Sequence, residues 1–469
     1  MATGLPTTFI SAQPHDNYCL IPHPREPRIL MFLTQVGWTL PQHAEMEAPD
    51  ISQAMHNLLP GLHVTFLRVA YDRYKDEERE EQHIVSVMEN HAPSWMPPAG
   101  GAWISSEELR ALPLAVPEHG AVLDSWFAER AGGQVPAERV PWARPGWYAE
   151  ALAWITKQLQ AHGYRICGPV EQVRMRVWSC VLRVPATTGA LYFKAVPAFF
   201  AHEPVLTVGL ARLWPALLPS VLTIDATRHW MLMEDAGTTL RHSEQGKDVA
   251  AWEHLLDLFS HMQIDSATHQ EHLLTLGCPD RRLEHLPMLY ASLLHEGRSA
   301  LLLEQKGGLN AEEYHRLCTM LPEIHALCAK LAGFGIPEAL HHDDFHDGNI
   351  LCKDGRYLFF DWAECAVAHP FYSMIIVLRY TKHVLKFDEV ARIRLRDAYL
   401  APWTCYAPME DLLRAFDLAQ RLGLLCRALT WYKTVSHLVE AEQWAYADTV
   451  AWNLRNFLYY PRDLLAEEA

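Results

Sequence analysis

The stretch that most constrains this chain is Leu340-His-His-Asp-Asp-Phe-His-Asp-Gly-Asn-Ile-Leu351, continued by Tyr357-Leu-Phe-Phe-Asp-Trp362. It reads as loop, strand, turn, strand, loop. Ile350 to Cys352 is one apolar arm and Tyr357 to Phe360 the other. Between them stands Lys353-Asp-Gly-Arg356, and Asp-Gly is a strong two-residue hairpin turn. With Asp354 and Gly355 as the turn, Lys353 pairs with Arg356. Counting back places Asn349 opposite Phe360, next to Asp361. The hairpin therefore brings a side-chain carbonyl and a carboxylate together at its open end. Two hard oxygen donors side by side suit magnesium, which keeps several waters and takes other ligands from substrate phosphates. Asp344 lies five residues before Asn349 in the same loop and can face such an ion without being a ligand.

Phosphoryl transfer asks for this arrangement: neutralise the triphosphate, align the leaving oxygen and hold the attacking hydroxyl. The pattern His342-x-Asp344-x4-Asn349, then Phe360-Asp361-Trp362 and Ala368-His369-Pro370-Phe371-Tyr372, resembles the catalytic signature of the aminoglycoside phosphotransferase and choline kinase superfamily. Those enzymes are small-molecule relatives of protein kinases. The resemblance covers about two-thirds of the chain, from about residue 142 onward. It implies an α+β, bilobal protein-kinase-like fold working with ATP and Mg2+. Asp344 would position and deprotonate the acceptor hydroxyl, Asn349 and Asp361 would hold the metal, and His342 would prop the catalytic loop. Two positions depart from the family pattern. Asp343 stands where Gly is usual, and Ser373 where an Asp usually anchors the catalytic loop. A second carboxylate beside Asp344, if close and poorly screened, raises an apparent pKa in the pair.

The nucleotide lobe is expected over residues 147–235. Residues 172–184 suggest two strands around Val177-Trp-Ser-Cys180, without a G-x-G-x-x-G loop; Ser179 could offer its backbone N–H and hydroxyl to a phosphate. Leu191-Tyr-Phe-Lys-Ala-Val196 is a further strand. A lysine inside an apolar run is rarely buried without a partner. Lys194 resembles the strand lysine that clamps the α and β phosphates, with Glu203 on the next helix as its partner; the plainer alternative is a solvent-facing lysine on an edge strand. Pro204 suits the first turn of that helix. His229-Trp-Met-Leu-Met-Glu-Asp-Ala-Gly237 resembles the hinge between lobes, where backbone groups of Met233, Glu234 and Asp235 would meet adenine. Residues 236–469 would form the helical lobe with the catalytic loop and the acceptor site. Stripes such as Trp252, Leu255, Leu256, Phe259 and Met262 read as core. Asp280-Arg-Arg282 reads as a capped turn with surface charges, and the aromatic-rich tail as ordinary packing with some residues left to wall an acceptor pocket.

Residues 1–130 form a separate unit with strands near 28–33, 63–70 and 83–88, and a helix start at Ser105-Ser-Glu-Glu-Leu109. The order resembles a Nudix-type α/β domain, but that family's metal-binding glutamates are missing. Arg79-Glu80-Glu81 is the only candidate, with Thr65 where a Gly belongs and Tyr71 where a Glu belongs. The run Glu77 to Glu81 reads as a solvated face. The unit is expected to be non-catalytic, for docking, ligand sensing or homodimerisation. Residues 131–146, rich in Gly and Pro, read as the linker.

Composition excludes several classes. Lys plus Arg is 40 against 56 for Asp plus Glu, a formal charge of −16, which disfavours a nucleic-acid-binding chain. The ten cysteines contain no Cys-x2-Cys pair, so they read as reduced, buried thiols of a cytoplasmic protein rather than zinc ligands. Neither a signal peptide nor a bilayer-spanning run is evident. The activity that the resemblance implies is transfer of the ATP γ-phosphate to a hydroxyl of a small molecule. The alternative is a kinase-fold protein that binds a nucleotide or metabolite as a sensor.

Overall fold

The fold is that of a computed structural model, which describes residues 16–45, 47–72, 83–133, 135–438 and 446–460. The glutamate run at 77–81 and Trp444 of the tail lie outside the described residues. The chain is a mixed α+β protein that divides into two compact units. One comprises Met1–Pro197 and Leu438–Gln443, the other Ala198–His437 and Trp444–Ala469.

In the first unit the elements run β1 Asp16–Leu20, β2 Arg28–Leu33, β3 Trp38–Thr39, β4 Gln42–His43, α1 Ala48–Leu58, β5 Val64–Asp72, β6 His83–Asn90 and β7 Gly101–Ser105. They continue as α2 Ser106–Leu109, α3 His119–Gly132, α4 Trp147–Ala161, β8 Glu171–Arg176, β9 Ser179–Ala186 and β10 Gly189–Ala195. A four-stranded sheet has the order β4-β1-β6-β5, with β1 and β6 parallel. A three-stranded sheet has the order β3-β2-β7. Strands β8, β9 and β10 form an antiparallel meander. The expected helix start is a full capping box: the Ser105 hydroxyl accepts from Glu108 N–H, and the Glu108 carboxylate accepts from Ser105 N–H. Helix α4 buries Ala151, Trp154, Ile155 and Leu159 and leaves Leu152 at the edge of that face. Gln172 of β8 reaches into the first sheet, accepting from Phe66 N–H at 2.7 Å and donating to Phe66 C=O at 2.8 Å.

The second unit begins with α5 Glu203–Leu213, β11 Val221–Asp225, β12 Trp230–Glu234, β13 Thr238–Thr239, α6 Val249–Ser266, α7 Gln270–Thr275, α8 Leu286–Glu296, α9 Ala311–Thr319 and α10 Leu321–Ala332. Then come β14 Ala339–His342, β15 Ile350–Lys353, β16 Arg356–Phe359, β17 Cys365–Ala368, α11 Met374–His383, α12 Glu389–Leu400 and α13 Met409–Val435. The hairpin β15–β16 has the register read from the sequence, Lys353 with Arg356 and Ile350 with Phe359. Its turn residues take left-handed backbone, with φ of 50° at Asp354 and 74° at Gly355. One expectation is corrected. The segment before the hairpin begins as a strand rather than a loop, because β14 pairs antiparallel with β17, Leu340 opposite Val367 and His342 opposite Cys365. This two-stranded ladder is all buried, so its sequence shows no alternation.

The unit's core includes Leu255, Phe259, Leu340, Phe345, Phe359, Trp362 and Phe416. Phe345 stacks on Phe259 at 4.0 Å and meets Phe359 at 5.4 Å, pinning the loop after β14 between α6 and the hairpin. Trp403 of the aromatic tail packs on Phe371 inside the core, and Trp431 stacks on Tyr446. All ten cysteines are free, but Cys167, Cys318 and Cys405 are exposed, so the expectation of buried thiols fails for these three. Among the described residues no helix is long and apolar enough to cross a membrane.

Candidate active site

Strand β14 delivers the loop 343–349 and the hairpin receives it. The Phe360 N–H donates to Asn349 C=O at 3.2 Å, which closes the open end of the hairpin one residue before Asp361. Asp361 itself is half-buried in left-handed backbone, φ 66°, an uncommon conformation for a non-glycine residue. Asn349 Nδ2 donates to the Asp344 carbonyl at 2.9 Å and to Asp344 Oδ2 at 3.1 Å. With its amide nitrogen committed there, Oδ1 is the atom left to face a cation. The donor set is one amide oxygen and one carboxylate, hard ligands that fit magnesium when phosphate oxygens complete the shell. Among the described residues no group of three or more His, Cys, Asp or Glu side chains is placed to hold a metal by itself.

His342 is fully buried and committed at both nitrogens. Nε2 donates to Phe360 C=O at 3.0 Å, and Nδ1 accepts from Asp344 N–H at 3.2 Å. Burial lowers its pKa, so the ring is neutral and ties the loop to the hairpin.

His346 lies 3.3 Å from Asp344 Oδ2 through Nε2, and its ring stacks on Tyr380 of α11. Gly348 N–H at 2.9 Å and Arg241 at 3.3 Å both point at Nδ1, which places the ring proton on Nε2, toward Asp344. Burial lowers its proton affinity, and the Asp344 carboxylate raises it more. Gly348 is required here, since a Cβ would sit 2.6 Å from the His346 ring. Asp347 accepts from Arg241 Nε at 3.0 Å and from Tyr380 OH at 2.7 Å, anchoring the far end of the loop.

The expectation that Asp343 raises a pKa in the acidic pair is overturned. The two side chains diverge. Asp344 faces Asn349 and His346, while Asp343 points into α13, within 3.3 Å of Arg427 Nη1 and of His341 Nε2. Burial pushes the Asp343 carboxyl up, but Arg427, His341 and Arg281 together hold it below its ordinary value. Asp344 is likewise held well below the usual carboxylate range, burial being outweighed first by His346 and then by Arg427 and His342. The Ser373 departure leaves the anchor in place. Ser373 Oγ contacts His341 Nδ1 at 2.9 Å, His342 N at 3.1 Å and Gln263 Nε2 at 3.3 Å. A small hydroxyl thus does locally what a carboxylate was expected to do.

The other expected site residues are placed as follows. Lys194 lies on β10 of the first unit and is 4 % exposed, so it is not a solvent-facing edge lysine. Glu203 opens α5 of the second unit and is buried. Ser179, buried, starts β9 opposite Arg176. At the expected hinge, Glu234 N–H donates to Ser220 C=O at 3.0 Å and Asp235 C=O accepts from Lys353 Nζ at 2.5 Å. Two of the backbone groups in Met233–Asp235 are therefore used within the protein.

Sequence reading missed Glu364, Arg281 and Arg427. Glu364 stands three residues after Asp361, with Oε2 buried and unbonded among the described residues; burial, reinforced by Asp344, raises its pKa well above the ordinary value. Arg281, read as a surface charge, is buried and donates to Cys426 C=O at 3.0 Å, while the neighbouring Arg282 does form the expected capped turn on Asp280. A signal for the helix partners existed: Arg427, Thr430 and Thr434 recur at helical spacing inside an apolar stretch, and all three are buried.

Residues 210–412 match the model of the phosphotransferase enzyme family. Among solved structures, a macrolide 2′-phosphotransferase type I is 16 % identical and aligns over 64 % of this chain and 97 % of its own, with a TM-score of 0.44. A choline/ethanolamine kinase family protein from Mesorhizobium loti is 16 % identical over 67 % of this chain and 95 % of its own, TM-score 0.44. A spectinomycin phosphotransferase in complex with ADP and spectinomycin is 10 % identical over 67 % and 96 %, TM-score 0.39. No curated protein matches the chain. Its loop, hairpin and following helix fall inside the matched span.

Proposed function

We propose that this protein transfers the γ-phosphate of ATP to a hydroxyl group of a small molecule. The observation that carries the reading is the Asn349–Asp344 pair of hydrogen bonds. It commits the amide nitrogen of Asn349, which leaves Oδ1 for a cation, and it occupies one oxygen of Asp344 while leaving the other for an acceptor. Asp344 would take the hydroxyl proton as the nucleophile attacks, a role worth a factor of roughly 10²–10⁴ in rate. His346, donating to the occupied oxygen, keeps the carboxylate ionised and aimed. Asn349 and Asp361 would hold magnesium, which when bound supplies charge neutralisation at the phosphates. Lys194 is assigned to the phosphates, as the resemblance of its strand implies. Residues 1–130 are assigned a non-catalytic role.

Turnover of ATP with a panel of hydroxylated metabolites and antibiotics tests the reading, with Asp344→Asn as the reference. Transfer by wild type and its loss in the variant is the expected result. Equal behaviour of the two would instead assign the protein a sensor role. The second arm is thermal stabilisation by magnesium and ATP: it should be large for wild type and small for Asp361→Ala.

A further inference from the structure

The peptide joining Asp343 to Asp344 is bonded at both ends. Arg427 Nη1 donates to the Asp343 carbonyl, and Asp344 N–H donates to His342 Nδ1 at 3.2 Å. A peptide is planar and resists twisting. Fixing its C=O and its N–H therefore fixes the plane, and with it the direction in which the Asp344 side chain leaves the loop. The Asp343 carboxylate belongs to the same assembly. Its Oδ1 is 3.3 Å from both Arg427 Nη1 and His341 Nε2, and its Oδ2 accepts from Thr430 Oγ1 at 2.5 Å. Arg281, 4.0 Å away, braces Thr430 by donating to Oγ1 at 2.5 Å.

Asp343 is 1 % exposed. An ionised carboxylate buried so deeply is costly unless paired and hydrogen-bonded. Apolar side chains of similar volume would hold a loop against a helix at least as well. What they would not supply is direction, because only hydrogen bonds at a carbonyl and a carboxylate fix the rotation of a peptide. We infer that Asp343 is a positioning residue: clamped to α13 by Arg427 and Thr430, it sets the peptide plane that aims Asp344 at the acceptor hydroxyl. The inference rests on the phosphotransfer reading above and gives α13, far along the chain, a part in alignment as well as packing.

The test is a double-mutant cycle on turnover with Asp343→Asn and Arg427→Met. A misaimed reacting group costs up to roughly a hundredfold in rate. Each single variant should lose about tenfold to a hundredfold in kcat, with KM for ATP within about twofold of wild type. The double variant should be no slower than the slower single, because both act through one clamp. Losses that multiply, a loss confined to KM, or a folded Asp343→Asn with wild-type kcat would each overturn the inference. Should Asp343→Asn fail to fold, Thr430→Val removes only one hydroxyl from the clamp and is carried through the same kinetics. Amide hydrogen exchange of Thr430→Val gives a readout that needs no turnover. Asp344 and Gly348 N–H should exchange about tenfold faster than in wild type while the α6 amides stay unchanged. If wild type transfers phosphate to no acceptor, the functional reading falls while this comparison still decides the clamp. Unchanged protection at those two amides would then refute it.

Discussion

Both units bury polar side chains, but they use them differently. In the first unit the buried polar groups are spread along the chain. Gln172 bonds both polar groups of Phe66, and Arg139, held to Glu129 at 2.8 Å, offers its carbonyl to Arg144. In the second unit His341, His342, Asp343, Asp344, His346 and Asp347 crowd into seven consecutive positions, and most of their contacts are to other charged or titratable groups. Dispersed pairs satisfy hydrogen bonds left by the fold. Concentrated titratable groups perturb one another, which is how a site for proton handling is built.

The sharpest way to break this contrast is Asp344→Asn. It should lower phosphate transfer by roughly 10²–10⁴ in a protein that still folds, with a lowered unfolding midpoint because His346 loses its ionised partner. A variant that keeps its rate would make the loop merely another structural cluster. Asp361→Ala should come next, removing most of the magnesium-dependent part of ATP binding in calorimetry; full retention would detach the hairpin mouth from any metal. Gln172→Ala probes the first unit from the other side. It strands the N–H and C=O of Phe66 without a partner, at about 1–3 kcal/mol for each buried group. Urea denaturation should register that loss while the transfer rate stays unchanged; a slowed rate with intact stability would erase the contrast between the units.

The smallest effect is a pH dependence of stability. Burial lowers the His341 pKa, but Asp343 and Cys426 together outweigh it and raise the value to about 9, above the ordinary 6.5. A group whose folded-state pKa is raised stabilises fully below its unfolded value and loses that contribution as pH climbs through the folded one. The urea midpoint should therefore decline between about pH 6.5 and 9, and the decline should be smaller in His341→Gln, the remainder belonging to His346, whose proton affinity is raised in the same direction. An equal decline in both would place the titration elsewhere.

The legible parts of the site were those set by neighbours in sequence. Asp354-Gly355 specifies its turn through backbone that only a few residues tolerate, and the register of Lys353 with Arg356 follows from the two-residue loop. The backbone bond from Phe360, the residue before Asp361, to Asn349 is a consequence of the same counting. The strand β14 was not legible, because a strand buried on both faces loses the alternation that marks most strands. Arg281 was read as a surface charge and Arg427 was passed over for a related reason. Arginine is mostly a surface residue, and the spacing of Arg427 with Thr430 and Thr434 marks a buried polar face without naming the carboxylate it meets.

The amino-acid sequence by itself determined the hairpin, the set of residues at its mouth and the α+β class of the chain, since turn chemistry and strand pairing at short range are local properties. The tertiary structure alone decided the state of the acidic pair. Asp343 finds Arg427 84 positions away, and that long-range contact separates two adjacent carboxylates into one neutralised against a helix and one left facing the loop. Electrostatic environment depends on distance in space, and distance in space between remote segments is fixed only when the core closes.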